Sequence, residues 1–344
     1  MRKIFAFIAL AGLAVACGDA GSEQPESLTL ISHDSFADGV NDETFAAFTT
    51  ETGIEVEVIA AGDAGSMVNQ AALSKDNPLA DVLFGVDDTF LSRALDEEIF
   101  AEHESPLLSD VVESLRLTHS LVTPIDFGDV CINYDKTWFS ETETPIPTSL
   151  DQLREPVYAE RLTVEHPATS SPGLAFMLAT IVAYGEEGWL DFWADLGEGG
   201  VSVTPDWDTA YYGNFTRYGG DSSMVVSYAS SPPAEVIFAT EPLAEAPTGV
   251  VEAGCYRQVE YAGILAGTDY PEAAGQLIDF MLSVEFQETI PLTWFVFPAN
   301  QTAELPGEFV DHTTIPSSPA RLESATIAEN RDRWINEWVA VMEG

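Results

Sequence analysis

Positive charge is what this chain has least of. Only 13 of its 344 residues are Lys or Arg, against 57 Asp or Glu, which gives a formal net charge of −44. A field of that sign repels nucleic acid and anionic lipid and favours cationic ligands, and it also keeps an exported or salt-adapted protein in solution. Cysteine is scarce, with three in the chain, and five His stand singly. Neither set has the spacing of a metal site. Enzyme signatures are missing: there is no Gly-rich phosphate loop with its Lys, no Gly-x-Ser-x-Gly elbow and no His-Glu-x-x-His pair. The one long apolar run, residues 4–16, is too short to hold a helix across a bilayer.

That run has another reading. Met1-Arg2-Lys3 gives it a basic start, and small residues end it, the pattern of a secretory signal. Ala14-Val15-Ala16-Cys17 resembles a bacterial lipoprotein box, with Leu13 one place before the usual Leu position. The expectation is a signal over residues 1–16, lipid on Cys17, and a small, acidic tether over 17–27. Beyond it, 46% hydrophobic residues suit a globular chain, and the length suits about two domains.

The chain is organised around Thr123 to Lys136, an apolar, β-prone stretch opening on Pro124 and closing on Tyr134-Asp135-Lys136. It reads as a strand crossing from one α/β lobe into a second, with Cys255 to Leu265 as the return crossing. Each crossing carries one of the two cysteines beyond the tether, Cys131 and Cys255. An exported protein permits oxidation, so a disulfide between them is expected. Around the crossings, strands alternate with helices as in a mainly parallel, doubly wound sheet. Strands are expected over residues 28–32, 54–59, 80–86, 162–164 and 223–228. Helices are expected over 41–50, from Ser66 to Lys75, over 174–184 capped by Ser171, over 206–217, 271–282, 283–289 and 325–342. Residues 291–298 read as an aromatic loop.

Polar residues gather at the expected strand ends, where open α/β sheets place their ligands. Asp34 and Ser35, Asp87 with Asp88, and Asp126 fall on one edge, each also explicable singly as a cap or turn. Ser170 and Ser171 offer hydroxyls and free N–H groups at a helix start, a site for an anion or a hydroxyl. Trp207, Tyr211, Tyr228 and the Trp294–Phe295 pair lie near loops; such rings usually fill cores, but beside carboxylates they also make a cation–π box.

Taken in order, His33-Asp34-Ser35-Phe36, Ala80 to Asp87, Pro124 to Gly128 with Asn133 to Lys136, Thr169 to Leu174, Trp207 to Tyr211, and Val226 to Pro232 resemble the substrate-binding proteins of thiamine ABC transporters. The likeness runs from about Leu30 to Trp338. It implies the type II periplasmic-binding-protein fold: two doubly wound α/β lobes joined by hinge strands around a cleft. The lobes would be residues 28–124 with 258–300, and 125–257 with 301–344. The ligand would be thiamine and its phosphates, passed to a membrane permease by a monomeric receptor that needs no cofactor and binds no nucleic acid. The ligand-binding residues would be Asp34, Ser35, Asp87, Asp126, Ser170, Ser171, Trp207, Tyr211, Tyr228, Ser231, Trp294 and Phe295. Two departures stand out: His33 replaces a frequent Tyr, and Phe295 holds the family's loop Trp position, with Trp294 displaced by one. Two other readings compete. Tyr211-Tyr212 is the kind of pair that ferric-iron receptors of the same fold use, and Asp87 with Asp126 would be the acid and base of a secreted enzyme.

Overall fold

The computed structural model describes residues 24–344, so the expected signal and the expected lipidation of Cys17 lie outside the described residues. Strands β1 (Ser27–Ser32), β2 (Glu55–Ala60), β3 (Val82–Asp87), β4 (Phe100–Ala101), β5 (Thr123–Asp135), β6 (Leu162–Glu165), β7 (Ser202–Thr204), β8 (Met224–Tyr228), β9 (Thr248–Leu265) and β10 (Phe297–Pro298) make one hydrogen-bonded array. Its order is β2-β1-β3-β9-β5-β8-β6-β7, with β4 on β9 and β10 on β5. Pairings within β2-β1-β3 and within β8-β6-β7 are parallel, while β9 and β5 run antiparallel to each other and to their outer neighbours.

β5 and β9 are therefore the two crossings, and each serves both ends of the array. The C-terminal part of β9 pairs with β3, and the C-terminal part of β5 pairs with β8. Their shared register breaks twice, between Pro124 and Asp126 and between Val130 and Ile132. Such bulges bend strands and re-aim side chains. Cys131 is the residue at the second break, and it is bonded to Cys255 with their Cα atoms 4.3 Å apart. The expected disulfide thus fastens the crossings where their ladder is interrupted.

Burial follows the strand patterns. β3, an unbroken apolar run ending in Asp, is buried along its whole length, as a strand covered on both faces must be. β2 lies at the edge and remains partly exposed along its length. The helix expected over 174–184 starts earlier, at Ser171, and a second helix follows it to Glu198. Gly185, at φ 68° and ψ 176°, is the non-helical joint between the two, a backbone geometry that carries little cost only without a Cβ. Beyond that bend, Trp189, Phe192, Trp193 and Leu196 stay buried. Trp193 meets Trp338 of the closing helix Ser324–Met342 edge-on at 5.4 Å. The expected Trp334–Trp338 face is fully buried there.

Several local expectations change. The second helix starts at Ala46, because Asn41 and Thr44 close a turn on each other and on Glu43. A helix over Asp34–Gly39, capped by His33 Nδ1, follows β1 where no element was expected. Ser66 lies inside helix Ala64–Leu73, whose cap is Asp63 accepting from the Ala64 N–H at 2.8 Å. Ser171 is the first helical residue, and the cap position is Ser170, without a side-chain capping bond. The helix expected over 206–217 is a wide π turn, Thr209–Asn214, followed by a 3-10 turn, Thr216–Tyr218. The expected aromatic loop contains a short helix, Ile290–Thr293, and β10.

Candidate functional site

The first bulge of β5 and β9, at Asp126 and Glu260, lies at the floor of a cleft of about 320 Å³. Asp126 and Glu260 are register partners on the two crossings, and both line it. Burial, and then the neighbouring Glu260 carboxylate, pushes Asp126 well above the usual carboxylate range. The charged form of Asp126 is thereby disfavoured beside Glu260. His33 Nε2 approaches the same Glu260 at 3.4 Å. Burial works against protonation of His33, but Glu260, helped by Asp63 and Asp208, holds it above its ordinary value. Tyr228 completes the floor: its hydroxyl accepts from Gln258 Nε2 at 3.1 Å. Its ring passes so close to Gly128 that a Cβ there would lie 2.7 Å from Tyr228 Cδ1.

One wall is aromatic and internally braced. Trp207 and Tyr211 stack with centroids 5.0 Å apart and planes 19° apart. The Trp207 indole donates to Ser227 Oγ at 2.9 Å, and Ser227 bonds Ser231 at 2.9 Å. Behind them lies buried Glu235, accepting from the Tyr211 and Tyr218 hydroxyls and from Arg217 Nε, each at 2.9 Å. Burial and Glu235 raise the Tyr211 hydroxyl well above 10. The wide π turn is what brings Trp207, Tyr211 and Tyr212 to one surface.

The opposite wall mixes rings with carboxylates. Trp294 is locked, donating to the Phe36 carbonyl at 3.0 Å and stacking on Phe36 at 4.6 Å. Phe295 follows at φ 56°, a left-handed conformation that costs a bulky residue about 1 kcal/mol or more. It meets Phe238 edge-on at 5.5 Å. Ser35, Asp38 and Asp63 line this side, while Ser171 enters from the start of helix Ser171–Glu198. No Lys or Arg is among the lining residues.

Of the residues expected to bind a ligand, the fold brings Ser35, Asp126, Ser171, Trp207, Tyr211, Tyr228, Ser231, Trp294 and Phe295 to the cleft. It does not bring Asp34, Asp87 or Ser170 there. Asp34 accepts from the Gly62 N–H at 2.8 Å and ties two loops together. Asp87 is fully buried and accepts from the Thr89 N–H and hydroxyl and from the Phe90 N–H. It lies beside Ser171 and supports the wall from behind. Ser170 is buried at the helix cap. The sequence reading missed Glu260, Asp63, Asp38, Asp208 and Phe238. A carboxylate in the otherwise apolar strand Val259 to Leu265 was the available signal for Glu260.

Two half-sheets joined by long crossing strands, with a ring-and-carboxylate cleft at the crossing, define a type II periplasmic solute-binding architecture. The family model for bacterial extracellular solute-binding proteins matches residues 77–314, and the chain belongs to that family. It is 32% identical over 315 residues to the thiamine-binding periplasmic protein of Escherichia coli (strain K12), covering 90% of this chain and 92% of that one. It is 30% identical over 339 residues to the protein of the same description from Brucella suis biovar 1 (strain 1330), covering 98% and 96%. A solved structure described as a periplasmic thiamin binding protein superposes with a TM-score of 0.82 at 27% identity, covering 94% of this chain and 98% of that one.

Proposed function

We propose that this chain is the thiamine receptor of an ABC importer. The observation that carries the reading is a cleft built of flat rings and carboxylates with no Lys or Arg on its walls. Thiamine combines a permanent thiazolium charge, an aminopyrimidine and a hydroxyethyl arm. Rings and carboxylates suit the cation, and the Asp126–Glu260 pair offers a donor and an acceptor to the aminopyrimidine edge. The start of helix Ser171–Glu198, with Ser171, suits the hydroxyl or phosphate end. Trp207, Tyr228 and Phe295 are the rings proposed to touch the ligand, with Tyr211 bracing Trp207, and Ser35 and Ser231 supplying hydroxyls. Trp294 shapes the wall.

The proposed lobes are residues 28–124 with 258–300, and 125–257 with 301–344, closing about β5 and β9. The receptor acts outside the cytoplasm as a monomer, anchored by lipid on Cys17, and delivers its ligand without catalysis to a membrane permease. The ferric-iron reading is disfavoured because the Tyr211 hydroxyl is committed to Glu235 and resists ionisation. The enzyme reading is disfavoured because Asp87 is buried against its own turn. Mass spectrometry of ligand released from protein purified without added vitamin tests the proposal. Thiamine or a thiamine phosphate is expected, and Trp207→Ala should lose it, a cost of about 2 kcal/mol. Another bound metabolite would refute the assignment.

A further inference from the structure

Two cleft carboxylates have no evident structural work. Asp208 opens the π turn that carries Tyr211 and Tyr212, yet its side chain does not cap that turn; Asp206 does, accepting from the Thr209 N–H at 2.7 Å. Asp38 sits in the last turn of helix Asp34–Gly39, the end at which a helix disfavours negative charge. The two reach the same cleft from different elements, Asp208 from the ring wall and Asp38 from the wall opposite. Asp208 is half-buried and surrounded by negative groups: Asp38 first, then Asp206, Asp63 and Asp34. Among the described residues that line the cleft, His33 is the one able to carry positive charge, and Glu260 already engages it.

We propose that Asp208 and Asp38 are the residues that make the cleft select a cation, their mutual repulsion being relieved only when a positively charged ligand lies between the walls. The inference rests on the thiamine reading and deepens it. The pair discriminates the thiazolium ring from an uncharged ring of the same shape, a distinction that stacking on Trp207 or Phe295 cannot make by area alone. Because the repulsion is present in the empty cleft, removing one charge has opposite effects on charged and neutral ligands. An opposite-charge contact a few ångströms long, partly screened, corresponds to about tenfold in affinity.

The test is calorimetric titration of thiamine and of its neutral thiophene isostere, in which a ring carbon replaces the charged nitrogen. The proteins are the wild type, Asp208→Asn, Asp38→Asn and a control, Asp191→Asn, which removes an exposed charge from the far end of helix Ser171–Glu198. The expected result is that Asp208→Asn binds thiamine about tenfold more weakly and the isostere equally or more tightly, with a smaller change of the same kind in Asp38→Asn. The control should leave the ratio of the two affinities unchanged. If Asp208→Asn shifts both ligands by the same factor, or if Asp191→Asn alters the ratio as much, the pair is not the selector, although the thiamine reading stands. If the wild type binds neither ligand, the thiamine reading fails and this inference falls with it.

Discussion

The two walls of the cleft are built on opposite principles. On the ring wall almost every polar group is engaged: Glu235 takes three donors, and the Trp207 indole is fixed by Ser227. The floor and the facing wall hold crowded carboxylates, of which Asp126 and Asp63 stand above their usual range, chiefly through burial, as does Asp208 at the edge of the ring wall. A braced wall sets shape before the ligand arrives, and a strained one sets the charge the ligand must bring. Breaking each side should therefore fail differently.

The largest effect should come from the link between the crossings. The Cys131–Cys255 bond spans 124 residues of sequence, which in the chain-entropy model stabilises by about 5 kcal/mol. Cys131→Ser with Cys255→Ser should lower the unfolding free energy by about that amount in denaturant titrations. Hydrogen exchange should rise most around β8 and Val250, which pack on the bridge. Next is Glu235→Ala, which leaves Tyr211, Tyr218 and Arg217 without their common acceptor. A loss of about 3 kcal/mol in stability is expected, together with weaker binding of charged and neutral ligands alike.

The carboxylate side should reveal itself through pH. Burial and the Asp87 charge push Asp88 up to about 8, and burial pushes Asp87 up to about 6. The folded chain therefore binds more protons than the unfolded chain between about pH 4 and 8, so stability falls as pH rises through that window. Thermal unfolding at fixed salt should show a higher Tm at pH 5 than at pH 8. Asp88→Asn, which keeps the oxygen that accepts from the Val259 N–H, should flatten that slope. The smallest effect is Asp126→Asn. Burial and Glu260 raise its carboxyl well above the usual range and so disfavour the charge that the substitution removes; thiamine affinity should change less than tenfold, and less than in Glu260→Gln.

The sequence made the ring wall more legible than the acidic one. Trp207 and Tyr211 stand beside turn residues and keep their place whatever the strand register. The crossings were legible because long β-prone runs carrying the paired cysteines interrupt the strand–helix alternation. Glu260 depends on register: it becomes a site residue only because β9 sets it opposite Asp126. Asp38 and Asp208 needed the helix over 34–39 and the π turn, both set by tertiary packing rather than periodicity. Asp34 and Asp87 lie outside the cleft lining, because a carboxylate at a strand end serves its own turn as readily as a ligand.

Titration of ligand-free protein with thiamine and, separately, with ferric iron tests the central claim most directly. Saturable heat with thiamine, accompanied by a change in tryptophan fluorescence from Trp207, and no visible absorption band with iron is the predicted result. No heat with thiamine and a phenolate-to-iron band in the visible would contradict it.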